Sequence, residues 1–195
     1  ELLMAIDRGF FFGHDPTVLL EVFTIPPVTE FLQVVYASFY LLPLSLCVII
    51  YWQRRKNVFH TVVPAIIIAF YISYIGYFVT PAIGPRYTLA HLQNVELSGV
   101  LSFGFIRGML DHASGIARDC FPSGHTMISV VTVFLALRYE RKFAPVALIW
   151  AAVLIFSTVY LRYHYVIDVL AGMLLAFAFL LGFVFVKRFE SNASG

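Results

Sequence analysis

The sequence predicts an all-α fold, namely a polytopic bundle of transmembrane helices. Of its 195 residues, 61% are hydrophobic and 12% are charged, whereas soluble domains carry about 25% charged residues. The mean hydropathy of +0.87 agrees with this bias. Several stretches of about 17 to 25 residues lack charge, and a helix of that length crosses roughly 30 Å of hydrocarbon. An ordinary soluble globular protein is therefore excluded.

The N-terminal region, residues 1–27, is too interrupted to form a span. Its Leu19, Leu20 and Phe23 instead suit a short helix that lies in the membrane interface. The chain starts without methionine and has no recognisable cleavable signal peptide, so an upstream segment that has been cut away fits the sequence. The interruptions are Asp7, Gly9, Gly13, Pro16, Pro26 and Pro27.

Five segments are predicted to cross the membrane, at about residues 31–52, 58–79, 123–139, 143–161 and 168–186. The third is shorter and less apolar than the others, but a helix from Ser123 to Arg138 would just cross. Residues 191–195 resemble an appended tail to which we assign no structural role. Because the chain has no internal repeat and no low-complexity linker, residues 1–195 are expected to form a single domain.

Basic residues predict the orientation of the chain. They cluster between the first and second spans, between the third and fourth, and after the last. If every span crosses once, these clusters share one face, which the positive-inside rule makes cytoplasmic. The loop 80–122 and the turn 162–167 then share the exoplasmic face. The clustered residues are Arg54, Arg55, Lys56, Arg138, Arg141, Lys142, Lys187 and Arg188.

Charge and cysteine content argue against several kinds of partner. The net charge is +2 and no basic stripe occurs, so no nucleic-acid partner is expected. Cys47 and Cys120 have no ligand-like spacing, so neither a disulfide framework nor a zinc site is expected. The expected partner is the membrane bilayer, without a metal or other cofactor.

A polar run, Pro122-Ser123-Gly124-His125, opens the third span. Polar, titratable groups are costly where a chain enters the bilayer, so they indicate a functional site. A helix that begins near Ser123 points free N–H groups and the positive end of its dipole outward, where phosphate can bind. Gly124 permits close approach of a phosphoryl oxygen, Ser123 offers a hydroxyl donor, and His125 is a candidate proton donor.

A second polar group, His164 and Asp168, opens the last span. Residues four apart share a helix face, and a carboxylate on one imidazole nitrogen makes the other a better nucleophile. Arg86, in a turn rich in proline and glycine, can form a forked pair with two phosphoryl oxygens. The alternative is a structural His–Asp pair at a helix end, with His125 merely capping its helix.

These residues resemble the type 2 phosphatidic acid phosphatase superfamily of membrane lipid phosphatases and phosphotransferases. The run 122–125 matches its Pro-Ser-Gly-His motif, and 164–172 closely matches its last motif. The resemblance implies a metal-independent reaction in which His164 attacks phosphorus to give a phosphohistidine. Asp168 would support this nucleophile, and His125 would protonate the leaving oxygen. The substrate-binding residues would be Arg86, Tyr87, Ser123, Gly124, Arg118 and Arg162.

Two basic residues of the family motifs are missing from this chain. The lysine expected seven residues before Arg86 is Val79, and the arginine expected six residues before the nucleophile is Thr158. Arg118 and Arg162 are candidates to replace them. Anchoring at the membrane interface or at a lipid head group fits these two arginines equally well.

The run Gly84-Pro85-Arg86-Tyr87 resembles the inositol phosphorylceramide synthase branch, whose members move a phosphorylated head group between lipids. The sequence therefore predicts an integral-membrane lipid phosphatase, with head-group transfer to ceramide or diacylglycerol as the alternative. A channel or transporter is disfavoured because spans 31–52 and 143–161 are nearly free of ionisable residues. A catalytically inactive scaffold is the remaining class.

Overall fold

A computed structural model of the protein describes residues 2–113 and 118–193. Within them the regular structure is helical, apart from an isolated bridge between Ala82 and Asp119, which confirms the all-α prediction. Short 3-10 helices occur at Leu20–Phe23 and Ala90–Leu92. The α-helices are α1 (Leu2–Phe10), α2 (Pro16–Leu19), α3 (Pro26–Ala37), α4 (Leu41–Trp52), α5 (Lys56–Val79), α6 (Pro85–Thr88), α7 (Phe103–Ala113), α8 (Gly124–Tyr139), α9 (Ala144–Tyr160) and α10 (Val166–Ala193).

The apolar helices correspond to the predicted spans, with two differences. Helix α5 and residues Val166–Phe189 of α10 are each long and apolar enough to cross a membrane, whereas α8 and α9 are shorter apolar helices. The predicted span over 31–52 is bent: α3 and α4 are together long and apolar enough to cross, and they meet at an angle of 51°. Helix α10 continues to Ala193, so the predicted tail begins inside a helix, while residues 194 and 195 lie outside the described part.

Pro43 explains the bend between α3 and α4. Proline has no N–H to donate to the carbonyl four residues earlier, and its ring clashes with that carbonyl, which here belongs to Phe39. Proline is tolerated in the first turn of a helix, so α4 restarts at Leu41. Trp150 of α9 stabilises the bend, because its indole N–H donates to the Ser38 hydroxyl at 2.9 Å.

Helix α8 lies at the centre of the bundle and packs against α4, α5, α9 and α10. Its Met127, Ile128, Val131 and Leu135 are fully buried, as the central position of an evenly apolar helix requires. The more exposed apolar surfaces belong to the outer helices, including α5 and α10.

The two ends of the bundle differ in charge. Arg55, after α4, bonds Glu140, after α8, at 3.0 Å, and Arg138 and Lys187 line one common cavity. The three predicted basic clusters therefore meet at one end. At the other end the Gly124 N–H donates to the Tyr77 hydroxyl at 3.1 Å, which joins the last turn of α5 to the first turn of α8.

Candidate active site

His164 lies in the tight turn between α9 and α10. The Thr158 carbonyl accepts hydrogen bonds from the N–H groups of Tyr163 at 2.9 Å and His164 at 3.1 Å, which closes the end of α9. His164 Nδ1 is 3.4 Å from Asp168 Oδ2, and the two side chains are 4% and 0% exposed. His164 Nε2 points the other way, 3.4 Å from His125 Nδ1. One imidazole therefore faces a carboxylate and a second imidazole with its two nitrogens.

Two carboxylates hold the beginning of α10. Asp168 Oδ2 accepts the N–H of Tyr165, the residue just before the helix, at 2.8 Å. This is the bond that the third helix residue makes in a capping box. Asp7 of α1, only 1% exposed, accepts the N–H groups of Val166 and Ile167, both at 2.8 Å. These donors are among those that a helix start leaves without a partner. The N-terminal helix therefore fixes the start of α10, between His164 and Asp168. Burial raises the pKa of Asp7.

Cys120 lies behind the same pair. Its thiol donates to Asp168 Oδ2 at 2.7 Å, and its sulfur is 3.7 Å from His164 Nδ1. Burial and the neighbouring Asp168 carboxylate raise the pKa of Cys120 well above its ordinary value, so the group is a thiol donor at neutral pH. The Cys120 N–H also bonds the Ala82 carbonyl at 3.2 Å, which ties this strand-like segment to the Arg86 loop.

Aromatic rings from α3 and from the bend after it hold His125. Tyr36 stacks on the His125 ring with centroids 4.6 Å apart, and Phe39 packs against it at 4.3 Å. Tyr36 also stacks on Tyr163 at 4.3 Å. These contacts limit rotation of the His125 imidazole and leave its Nδ1 beside His164 Nε2.

Helix α8 begins next to Ser123, as predicted, and Ser123 is its N-cap. Its hydroxyl accepts the Thr126 N–H at 3.3 Å, and its own N–H donates to the Asp168 carbonyl at 3.0 Å. Gly124 is closely approached, but by side chains of α5: a Cβ there would lie 2.6 Å from the Ser73 hydroxyl oxygen and would also overlap the Tyr77 hydroxyl. Glycine at 124 is thus required by packing on α5.

Arg86 belongs to the short helix α6, and its N–H donates to the Arg162 carbonyl at 2.9 Å. This bond brings the Arg86 loop against the His164 turn. A Cβ at Gly84 would lie 2.6 Å from the Tyr163 carbonyl oxygen, so only glycine allows this approach. The Arg86 guanidinium carbon is 4.6 Å from the ring centroid of Tyr87 and 5.3 Å from that of Tyr163.

These groups surround a cavity of about 230 Å³ at the end of the bundle opposite the basic loops. Of the predicted site residues, the cavity brings together Arg86, Tyr87, His125 and His164, with Asp168 behind His164. Ser123 and Gly124 lie in the adjacent cap of α8. The lining residues are Tyr36, Ala37, Phe39, Tyr40, Tyr77, Gly84, Arg86, Tyr87, Leu110, Asp119, Cys120, His125, Tyr163 and His164.

The two arginines suggested as replacements occupy other positions. Arg118 is exposed and does not occur among the described residues that line the cavity. Arg162, at φ 67°, is 6% exposed and bonds Glu21 at 3.0 Å and the Val95 carbonyl at 2.7 Å. Burial lowers the pKa of Arg162, while Glu21 opposes this shift. Arg162 therefore fastens the N-terminal region and the loop after α6 to the turn.

Sequence reasoning missed Arg107 of α7, whose guanidinium carbon lies 5.6 Å from the Tyr163 ring centroid. Arg107, Arg86 and Arg162 line a neighbouring cavity of about 220 Å³. Asp119, beside Cys120, was also missed; partial removal from water raises the pKa of its carboxyl, and a backbone hydrogen bond and the nearby Arg86 oppose this rise. Adjacency to the 122–125 run was an available signal for Asp119 and Cys120, whereas Arg107 had none.

Comparison with known proteins agrees with the family resemblance. The sequence model of the PAP2 superfamily matches residues 1–182. A PA-phosphatase related-family protein of Dictyostelium discoideum is 30% identical over 125 residues, which cover 63% of this chain and 22% of the relative. The chain therefore matches about a fifth of that longer protein. No solved structure matches the chain significantly.

Proposed function

Because this chain belongs to the PAP2 superfamily, we propose that it is an integral-membrane lipid phosphatase that works through a phosphohistidine. Membership in this superfamily implies phosphatase-type chemistry on phosphate esters. The observation that best supports the proposal is the arrangement of His164, with Nδ1 3.4 Å from Asp168 and Nε2 3.4 Å from His125 at the wall of a cavity. His164 is thus next to both the carboxylate that would orient it and the imidazole that would carry the proton.

In the first step His164 Nε2 attacks the phosphorus and the bond from phosphorus to the lipid oxygen breaks. Asp168 keeps the ring proton on Nδ1, so the Nε2 lone pair is available for attack. His125, in its protonated form, gives its proton to the leaving oxygen. The products are the lipid alcohol and a phosphorylated His164.

In the second step water attacks the phosphohistidine. His125, now neutral, takes a proton from the water as the new phosphorus–oxygen bond forms and the phosphorus–nitrogen bond breaks. Inorganic phosphate leaves, and both histidines return to their initial protonation states. The stacked rings of Tyr36 and Phe39 keep His125 beside the reacting nitrogen in both steps.

Charge on the phosphoryl oxygens is stabilised by arginine and by the start of α8. Arg86 offers a planar fork of donors, with Tyr87 against its guanidinium. Ser123 and Gly124 belong to the α8 N-terminus, whose dipole favours an anion. We propose Arg107 as the second cation, in place of those lost at Val79 and Thr158. With these charges in place, the reaction needs no metal.

The substrate is proposed to be an amphiphile that reaches the cavity from the exoplasmic leaflet. The basic end of the bundle is assigned to the cytoplasm by the positive-inside rule, which leaves the cavity on the exoplasmic side. Phe39, Tyr40 and Leu110 supply apolar wall beside the histidines, as an acyl or prenyl chain requires. Phosphatidate, prenyl phosphates, phosphatidylinositol phosphates and phosphorylated sphingolipid precursors all carry this combination.

Head-group transfer is the alternative, and it is favoured by the presence of Leu110 from α7 in the cavity wall. A transferase must exclude water from the phosphohistidine until an acceptor hydroxyl arrives, because water at about 55 M otherwise wins by concentration. Helix α7 packs on α3 and is the element placed to do this. We expect hydrolysis to be the main activity, and transfer onto ceramide or diacylglycerol to be minor.

A panel of lipid phosphates tests the proposal, with mass spectrometry of lipid and water-soluble products. Purified protein should release phosphate, and His164→Ala should remove turnover almost completely. His60→Ala, an exposed histidine near the basic end, is the matched control and should retain activity. A folded, active His164→Ala protein would exclude the mechanism. Head-group phosphate found mainly in a new lipid, and not in a water-soluble product, would favour transfer instead.

A further inference from the structure

Cys120, the proposed nucleophile His164 and Asp168 converge at the start of α10. Cys120 Sγ lies 2.7 Å from Asp168 Oδ2 and 3.7 Å from His164 Nδ1, and the histidine and aspartate atoms are 3.4 Å apart. All three residues are buried, and their ligand atoms lie within 4.8 Å of one another. A thiol, an imidazole and a carboxylate are the side chains that zinc binds most often.

The spacing of these atoms matches a tetrahedral zinc site along two of its three edges. Zinc bonds of about 2.3 Å to sulfur and 2.0–2.1 Å to nitrogen or oxygen place sulfur about 3.5 Å from nitrogen, and nitrogen about 3.4 Å from oxygen. The corresponding distances here are 3.7 Å and 3.4 Å. The third edge, sulfur to oxygen, is 2.7 Å because a thiol hydrogen bond now occupies it. It would open by about 0.8 Å when the metal replaces the thiol proton.

Two further features suit a bound cation. Asp168 Oδ1 is buried and has no hydrogen-bond partner among the described residues, although unpaired buried carboxylate oxygens are costly. Cys120 and His164 both line the cavity, so an ion can reach them from there, and a water in the cavity can supply the fourth ligand. Carboxylate oxygen and open access are what a three-ligand zinc site needs.

We propose that Cys120, His164 and Asp168 form an inhibitory zinc site. Binding replaces the thiol proton and occupies His164 Nδ1. The remaining ring proton of the neutral imidazole must then sit on Nε2, which leaves no lone pair there to attack phosphorus. Asp168 is simultaneously drawn from the histidine to the metal. Zinc therefore holds the protein in an inactive form, an effect that rests on the proposed function, whereas the binding itself does not.

Cobalt and zinc titrations of the purified full chain test this site, with the other cysteine as control. One cobalt ion should bind per chain and give a thiolate-to-cobalt charge-transfer band. Zinc should displace the cobalt and remove this band. Cys120→Ala should lose the band and weaken zinc binding tenfold or more, and Cys47→Ala, altered in α4, should behave as wild type. Cys120→Ser can keep the hydrogen bond to Asp168 but has no thiolate, so it should also lose the band. Loss of the band in this variant separates loss of the ligand from misfolding.

Inhibition is measured in parallel on whichever lipid phosphate is hydrolysed. Zinc should inhibit wild type and Cys47→Ala at equal concentrations, and Cys120→Ala only at tenfold higher ones, with reversal by chelator. Equal zinc binding by wild type and Cys120→Ala, or no saturable binding, would overturn the site. If no lipid phosphate is hydrolysed, the proposed phosphatase function fails, while the cobalt and zinc titrations still decide the site.

Discussion

Replacing Asp7 by asparagine should loosen the start of α10 and slow catalysis from outside the cavity. Its two carboxylate oxygens each accept one backbone N–H, from Val166 and Ile167, at 2.8 Å. Asparagine keeps one acceptor and turns its NH₂ group toward the other N–H. A lost hydrogen bond to a charged group costs about 1.5–3 kcal/mol, and the lost charge at the helix start adds roughly 0.3–1 kcal/mol. The expected loss is therefore about 2–4 kcal/mol.

Thermal unfolding of the detergent-solubilised protein measures this loss, and a drop in Tm of roughly 4–16 °C is expected. Because His164 and Asp168 flank the loosened turn, kcat should also fall about tenfold or more, since misplacement by 1 Å costs on the order of 100-fold. Asp15→Asn is the matched control in the same N-terminal region. It weakens the bond of Asp15 to the partly exposed Arg8 and leaves the bonds of Asp7 to Val166 and Ile167 in place.

The result that would refute this reasoning is an Asp7→Asn protein with the Tm and kcat of wild type. Equal losses in Asp7→Asn and Asp15→Asn would also refute it, because the effect would then belong to the N-terminal segment in general. Asp7→Glu should not keep the Tm and kcat of wild type, because its longer side chain must shift α1 to keep the two bonds at 2.8 Å.

Removing the proposed proton carrier by His125→Ala should slow turnover by about 10²- to 10⁴-fold and let phosphohistidine accumulate from an activated ester, as intact-mass spectrometry would detect. Excess EDTA should leave hydrolysis undiminished; loss restored by magnesium or zinc would contradict a metal-independent reaction. Arg107→Gln should raise KM about tenfold through one lost charged contact, and unchanged kinetics would exclude Arg107 as a cation. A cysteine replacing His91 should react with an impermeant thiol reagent outside intact cells, and one replacing Arg141 should not; the reverse labelling would invert the topology.

The residues that meet at the cavity could be predicted in part, because several of them lie close together in the sequence. Ser123, Gly124 and His125 are consecutive, and His164 and Asp168 are four positions apart, so each group is brought together within a short segment. The helical class followed from composition, since only a helix satisfies every backbone group inside its own segment in a membrane. The roles of these residues in a reaction stay predictions until activity is measured.

The bend at Phe39 lay within reach of the sequence, because Pro43 removes the hydrogen bond that a continuous helix would need there. The consequence of this bend could not be predicted from the sequence. The bend places Phe39 against His125, a contact between segments 86 residues apart that depends on how α3, α4 and α8 pack. Arg162 shows the same limit: two residues before His164 it was a candidate to bind the phosphate or to anchor the chain at the interface, yet its guanidinium is held by Glu21 and the Val95 carbonyl.

By itself, the sequence determined the helical membrane class, the two polar helix starts and the pairing within each, since these depend on composition and on contacts within one turn. The tertiary structure alone decided that Asp7 caps α10, that Cys120 stands against Asp168, and that Arg107 reaches Tyr163. Such contacts join residues that are 48 to 159 positions apart. Their partners are selected by burial and packing of whole helices, for which no short segment carries a signal.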